Sequence, residues 1–271
     1  MNEMAKNYGP WALIAGASEG TGASFARLLA QKGFNLILIA RRESPLEKLA
    51  GELRQENGVE CIAASIDLST DDAVEKMREA AAGREVGLLI LNAGADPNGM
   101  MFLDNDIANW DELVMRNVVT VIRACHRFAQ PMRKRGRGGI IIVGSAACYA
   151  GMPGIAIYGA TKSFDLSFSE ALWAELKPQG VNVLSFVIES TDTPAHRQLM
   201  EQRGMPLTGD MVDPDEVARV GLENLANGPV KNFSLADDEA GYAGLSAKQR
   251  RERTIMFAQL SARYATKGNG A

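Results

Sequence analysis

The chain has little with which to build a disulfide framework or a metal centre: its 271 residues include three cysteines and two histidines. Cys61, Cys125 and Cys148 are odd in number and far apart, which fits neither disulfide pairing nor paired zinc-ligand spacing, so they read as buried free thiols. His126 and His196 belong to no ligand-spaced cluster, and no metal is expected. An excess of one charge is also lacking. Twenty-nine basic residues against 33 acidic ones leave −4, which argues against nucleic acid or an anionic membrane surface as partner. No segment offers the roughly 18 uninterrupted apolar residues of a membrane span. The opening MNEMAKNYGPWALIAG sets charges close to a short apolar run, so a cytoplasmic, soluble protein is expected. Internal repeats and low-complexity tracts are absent too.

What is present is apolar patterning, at 46% hydrophobic content, enough to bury one large core. Short apolar runs over Trp11–Ala15, Phe34–Ala40, Val59–Ser65, Val86–Leu91, Ile140–Val143 and Val181–Ile188 alternate with longer amphipathic ones. Nearly continuous runs suit parallel strands covered on both faces by helices. Asn232–Leu235 could add an edge strand. Ser44-Pro45-Leu46-Glu47 has the form of a capping box, with Leu46, Leu49 and Leu53 as the apolar stripe of the helix it opens. Asp213 before Pro214 starts another helix, with Val217, Val220 and Leu225 on its buried side. The βαβ succession implies an α/β, doubly wound parallel sheet of about seven strands with helices on both faces, ligands gathering at the carboxyl ends of the strands. Residues 1–271 are expected to form one domain, with a fraying tail over 262–271.

Immediately after the first strand comes Gly16-Ala17-Ser18-Glu19-Gly20-Thr21-Gly22, then the helical run Ala23–Gln31. Three glycines permit a tight turn and close backbone approach, and the N–H groups and dipole of the following helix favour a pyrophosphate. The Gly-x-x-x-Gly-x-Gly spacing resembles the short-chain dehydrogenase/reductase family. Further matches span most of the chain: Asp67 after the third strand, Asn92-Ala93-Gly94 after the fourth, then Asn117, Ser145, Tyr158-Gly159-Ala160-Thr161-Lys162 and Thr193. The resemblance implies a Rossmann-type dinucleotide-binding domain and an NAD(P)-dependent oxidoreductase that interconverts a ketone and a secondary alcohol. It places the cofactor against Gly16, Ser18, Glu19, Gly20, Thr21, Gly22, Arg41, Arg42, Asp67, Leu68, Asn92, Ala93, Gly94, Tyr158, Lys162, Glu189, Thr191 and Thr193. By the same resemblance Asp67 caps the adenine region and Asn92–Gly94 steady the central sheet.

A carboxylate at the end of the second strand would bind a ribose 2′-hydroxyl, but here the chain reads Ala40-Arg41-Arg42. Two guanidiniums can clamp a phosphate, so NADP(H) is favoured over NAD(H), with Arg41 the stronger candidate. Glu19 counts against a strong preference, since a basic residue often stands there in related NADPH enzymes.

Tyr158 and Lys162 are four apart, on one helix face. A free phenol titrates at about 10, and a neighbouring ammonium stabilises its phenolate, making it a usable acid and base. Ser145, after the strand ending near Gly144, can donate a hydrogen bond to a carbonyl oxygen as charge develops there. Asn117, by the resemblance, holds a water against the lysine and begins a proton relay. Alone, each of these four would more often be structural than catalytic; together, in the family's order and spacing, they read as a catalytic set.

After the sixth strand the chain reads Ile188-Glu189-Ser190-Thr191-Asp192-Thr193-Pro194, without the Pro-Gly pair usual in the family, and Glu189 brings a charge near the nicotinamide pocket. A substrate lid is expected around residues 192–212, with Met200, Met205, Pro206, Leu207 and Met211 as adaptable apolar lining. Tyr149, Met152, Pro153 and Ile155 are candidates for the facing wall, and a hydrophobic or cyclic ketone is the expected substrate. The alternatives are a non-catalytic dinucleotide-sensing binding protein and an NAD-preferring alcohol dehydrogenase of the same family. A homodimer or homotetramer is expected by analogy with relatives.

Overall fold

The structure is a computed structural model that describes residues 3–97, 99–202, 211–233, 251–252, 255–256 and 259. The apolar runs become seven strands: β1 (Trp11–Ala15), β2 (Asn35–Ala40), β3 (Cys61–Ser65), β4 (Val86–Leu91), β5 (Gly138–Ser145), β6 (Val181–Ile188) and β7 (Val230–Asn232). They form one sheet in the order β3-β2-β1-β4-β5-β6-β7, with every neighbouring pair parallel. The order reverses between β1 and β4, and chain crossovers on either side of that point leave a crevice at the strand ends.

Among the described residues the α-helices named here are α1 (Glu3–Tyr8), α2 (Gly20–Gln31), α3 (Glu43–Asn57), α4 (Ala73–Ala81), α5 (Ile107–Val114), α6 (Thr120–Arg135), α7 (Ala156–Leu176), α8 (Pro194–Gln202) and α9 (Pro214–Asn224). Alternate strand residues feed two cores. On one face Ile14, Leu36, Leu38, Ile90, Leu184 and Phe186 pack with Phe25 and Leu29 of α2, Leu46, Leu49 and Leu53 of α3, and Val217 of α9. On the other, Leu13, Ile37, Leu89, Ile140 and Val183 pack with Met77 of α4, Phe128 and Met132 of α6, and Leu176 of α7. Both faces being covered is why the central strands read as nearly continuous apolar runs. Each fully buried Leu or Phe contributes about 1.5–3 kcal/mol.

Two local expectations are corrected. Ser44 is not the cap of α3: the helix begins at Glu43, its N-cap is Arg42, and no side chain caps it. Ser44 and Pro45 lie inside the first turn, where proline's missing N–H costs nothing because that turn has no intrahelical acceptor. Where an edge strand over Asn232–Leu235 was expected, the described strand is Val230–Asn232, starting two residues earlier and fixed by pairing with Ser185–Val187 of β6; positions 234 and 235 lie outside the described residues. The Tyr149 hydroxyl donates to Asn232 Oδ1 at 2.7 Å, which ties the turn after β5 to β7. Asp213 does cap α9, accepting from Asp215 N at 2.9 Å. All three cysteines are free and buried, and burial first pushes their thiols up, to about 11 at Cys61 and about 12 at Cys148.

Candidate active site

The glycine loop leaves β1 at the point where strand order reverses. Gly16 N and Ala17 N donate to Ile39 O at 2.8 and 3.0 Å, tying the turn to β2. From the other side Asn92 Nδ2 donates to Gly16 O at 3.0 Å, while Asn92 N and Ala93 N both donate to Ala15 O. Gly20 adopts a φ of 54°, and a Cβ there would come within 2.7 Å of Thr193 Cγ2, so this glycine lets the loop meet the turn beyond β6. Glu19 is the N-cap of α2 but makes no side-chain cap, so the first-turn N–H groups face the loop. An uncapped helix end behind a closely tied glycine turn fits a dinucleotide pyrophosphate.

The two arginines after β2 diverge. Arg42 Nη2 pairs with Glu19 Oε2 at 2.5 Å. Among the described residues Arg41 has no ion-pair partner, and it lies where its charge acts on Asp67 and Arg116. Asp67 Oδ1 accepts from Ser69 N at 2.9 Å and Ser69 Oγ at 2.6 Å. Burial works against its charge, but these Ser69 bonds, then Arg41 and Arg116, hold its carboxyl below the usual range. Leu68, next along, offers its carbonyl to Thr120 Oγ1 at 2.8 Å.

The chemical end is assembled by α7. Tyr158 is half-buried on its first turn, and Lys162, one turn on, is buried at 4% exposure. Lys162 Nζ donates to Val143 O at 2.9 Å, which sets the ammonium beneath β5 two residues before Ser145. A Cβ at Gly94 would lie 2.9 Å from this Nζ and 3.4 Å from Asn117 Oδ1, so only glycine lets the turn after β4 approach both. Ser145 Oγ accepts from Ala147 N at 3.3 Å at the head of a short 3-10 turn, Ala146–Tyr149, against which α7 packs.

Asn117 comes from a π-helical turn, Met115–Val119, between α5 and α6. The widened turn carries Asn117 inward, to 1% exposure, where Nδ2 donates to Gly94 O and Thr161 Oγ1, both at 3.1 Å. Its Oδ1 is buried and accepts no hydrogen bond.

Beyond β6, Glu189 is exposed. Thr191 is buried, donates to Glu189 O at 3.1 Å and bridges Val212. Asp192 N donates to Val212 O and Val212 N to Ser190 O, so the segment expected to form a lid leaves and returns through one clasp. Thr193 Oγ1 accepts from His196 N at 3.2 Å at the start of α8. Positions 205–207 and the tail over 262–271 lie outside the described residues.

Sequence reading missed two features. One is Asp165, whose Oδ2 receives Lys162 Nζ at 3.0 Å, with side-chain exposures of 1% and 5%. Its spacing, three residues after Lys162 and seven after Tyr158 on the same face of α7, is one that a solvated helix pair would also show. The other is an exposed apolar stretch, Met100, Met101, Phe102 and Leu103, after β4. Gly99 O is 3.9 Å from where a Cβ of Gly154 would stand, so this stretch borders the loop between Ser145 and Tyr158.

A doubly wound parallel sheet with a glycine loop at its reversal point defines a dinucleotide-binding α/β protein. The profile of the family described as short chain dehydrogenase matches residues 10–204, and the chain belongs to that family. A 7beta-hydroxysteroid dehydrogenase of Clostridium sardiniense is 28% identical over 255 residues, 94% of this chain and 95% of that protein. A very-long-chain 3-oxoacyl-CoA reductase of Podospora anserina is 37% identical over 191 residues, 69% of this chain. The chain spans about half of that reductase's length, 56%. Among solved structures, a 7beta-hydroxysteroid dehydrogenase superposes with a TM-score of 0.77 at 26% identity, covering 100% of both chains. A short-chain dehydrogenase from Sphingobium yanoikuyae in complex with NADPH gives 0.76 at 27% identity, covering 97% of this chain and 96% of that one. No helix among the described residues is long and apolar enough to cross a membrane, and no group of His, Cys, Asp or Glu there could hold a metal ion.

Proposed function

We propose that the chain interconverts an apolar ketone and a secondary alcohol with NADP(H), using Ser145, Tyr158, Lys162 and Asn117. The observation that carries this reading is the position of Lys162 Nζ, bonded to Val143 O just before Ser145, one helical turn from Tyr158 and against Gly94. Reduced nicotinamide would supply the hydride that reaches the carbonyl carbon. Ser145 already accepts a backbone N–H, which leaves its O–H proton to donate to the carbonyl oxygen. Tyr158 gives its proton to the same oxygen, the C=O double bond becoming C–O–H, and Lys162 stabilises the phenolate left behind. The unpartnered Oδ1 of Asn117, beside Gly94, is placed to hold the water through which a proton returns. In the oxidation direction the same groups act in reverse.

NADP(H) preference is supported by Arg41, which lacks an ion-pair partner among the described residues and follows β2, where an acidic residue would instead suit a ribose 2′-hydroxyl. An apolar substrate is supported by the exposed Met100–Leu103 stretch beside the 149–155 loop. Exposed Ile107, Val114 and Ile122 on α5 and α6 support a homo-oligomer. The test is a panel of steroid, aromatic and 3-oxoacyl ketones with NADPH and NADH, following loss of reduced-nicotinamide absorbance. Turnover of at least one ketone, faster with NADPH, is expected. A protein that binds NADPH yet turns over none of them would refute the reading.

A further inference from the structure

Tyr158, Lys162, Asp165 and Ser169 occur at intervals of four, three and four residues along α7, which places them in one stripe down a single helix face. The lower three are buried, at 4%, 1% and 0% exposure, so the stripe is a buried polar column on α7. Ser169 Oγ donates to the backbone carbonyl of Asp165, at 2.6 Å, not to its carboxylate. Asp165 Oδ2 receives Lys162 Nζ, and Asp165 Oδ1 has no hydrogen bond. A carboxylate whose one bond goes to the lysine serves the lysine, because an apolar residue would fill the same space without desolvating a charge.

The lysine's geometry is fixed from two sides. Its ammonium has three protons; Val143 O and Asp165 Oδ2 take two of them, leaving one for the Gly94 and Asn117 side of the site. The charged and titratable groups facing this pair are few. They are Tyr158 on α7 itself, Cys125 from α6, Cys148 from the 3-10 turn and Arg116 from the π-helical turn. Both thiols are pushed up by burial, and Asp165 adds to that. Lys162 is therefore opposed by one anion, at 3.0 Å.

We infer that Asp165 is a positioning residue of the reaction: it holds Lys162 beneath β5 and offsets part of its charge, and so sets the pH range over which Tyr158 passes its proton. This rests on the catalytic reading above. Burial works against the charge of Lys162, but Asp165, then Tyr158, outweigh it and keep the lysine above its ordinary value. Burial in turn raises Asp165, and Lys162 pulls it back.

The experiment is the pH profile of kcat/KM for ketone reduction in the wild type, Asp165→Asn and Asp165→Leu. Asparagine keeps the size and an acceptor for Lys162; leucine suits the apolar surroundings if the amide is not tolerated. Removing the anion leaves the lysine's charge unopposed, so the midpoint of the proton-dependent limb moves to lower pH by roughly one unit, as expected for a charge within about 6 Å. The leucine variant also loses roughly ten-fold or more in kcat, because the ammonium loses its anchor, while KM for the ketone changes little. A folded variant whose midpoint coincides with the wild type overturns the inference and leaves the catalytic reading intact. A wild type that turns over no ketone overturns the catalytic reading instead.

Discussion

The two ends of this site are built from opposite materials. At the glycine corner the chain uses backbone: carbonyls of Ala15, Gly16 and Ile39 are tied by N–H groups and by one asparagine, and the charges there, Arg41, Arg42 and Glu19, lie toward solvent. At the chemical end it uses side chains: a lysine and a carboxylate are both buried, with a buried asparagine beside the lysine. A backbone cradle binds any ligand of the right shape and tolerates exchange of its surface charges. A buried ion pair tolerates almost none, because either partner left alone is an uncompensated charge in a poor solvent. Substitutions at the two ends should therefore differ in kind: loss of rate or stability at one, graded loss of cofactor affinity at the other.

The largest effect is expected from Tyr158→Phe. On the proposed reading, removing the hydroxyl takes away the acid that protonates the carbonyl oxygen, and ketone reduction should fall by roughly 10²–10⁴-fold. Cofactor binding, measured by fluorescence titration, should survive within about a factor of three. A variant with near wild-type kcat would break the contrast at once, since the chemical end would then not depend on its own side chain.

Lys162→Met sharpens the contrast through stability. It leaves Asp165 buried and unpaired, which costs about 3–5 kcal/mol in a urea unfolding experiment at neutral pH, and Lys162→Met with Asp165→Leu should recover most of it. The pH dependence has a definite sign. Burial holds Asp165 above its ordinary value of 3.8, and without Lys162 nothing pulls it back. A raised carboxyl binds its proton more tightly when folded, so its contribution to stability is complete below 3.8 and is lost as pH rises through the folded value. The deficit of the single variant should thus be largest at neutral pH and shrink toward pH 4. A deficit that grows on acidification would mean that Asp165 is not the charge left behind.

The same contrast explains what could be read from sequence. Trp11–Ala15 and Val86–Leu91 were legible to the residue, because a strand covered on both faces has few polar interruptions and ends where the turn begins; Val181–Ile188 was too, although Asn182 and Ser185 interrupt it. β5 runs two residues further at each end than its apolar stretch, since Gly138, Gly139, Gly144 and Ser145 are held by register with β6 and not by hydrophobicity. The start of α3 was misplaced because an arginine, not the serine two residues on, occupies the N-cap. The catalytic candidates on α7 were legible from spacing. Asp165 was not, because an aspartate three residues after a lysine looks like any solvated helix pair until the packing of α6 and β5 closes over it. Asn117 was legible by position, but its inward turn depends on a π-helical widening that no residue pattern announced.

The smallest effect tests the glycine corner against itself. Arg41 and Arg42 are adjacent and equally basic, yet Glu19 holds the guanidinium of Arg42 at 2.5 Å while Arg41 has no such anion among the described residues. A 2′-phosphate meeting Arg42 must compete with a carboxylate already in contact; meeting Arg41 it finds no carboxylate in ion-pair contact among the described residues. Arg41→Ala should raise Kd for NADPH by roughly ten-fold or more, the value of a charge-assisted hydrogen bond at about 1.5–3 kcal/mol, and leave Kd for NADH nearly unchanged. Arg42→Ala should change either by less than about three-fold, as expected for an exposed ion pair worth about 1 kcal/mol or less. Equal losses from the two substitutions would mean that the Glu19 pair opens when cofactor binds, and that this corner is then as dependent on particular side chains as the lysine pocket is.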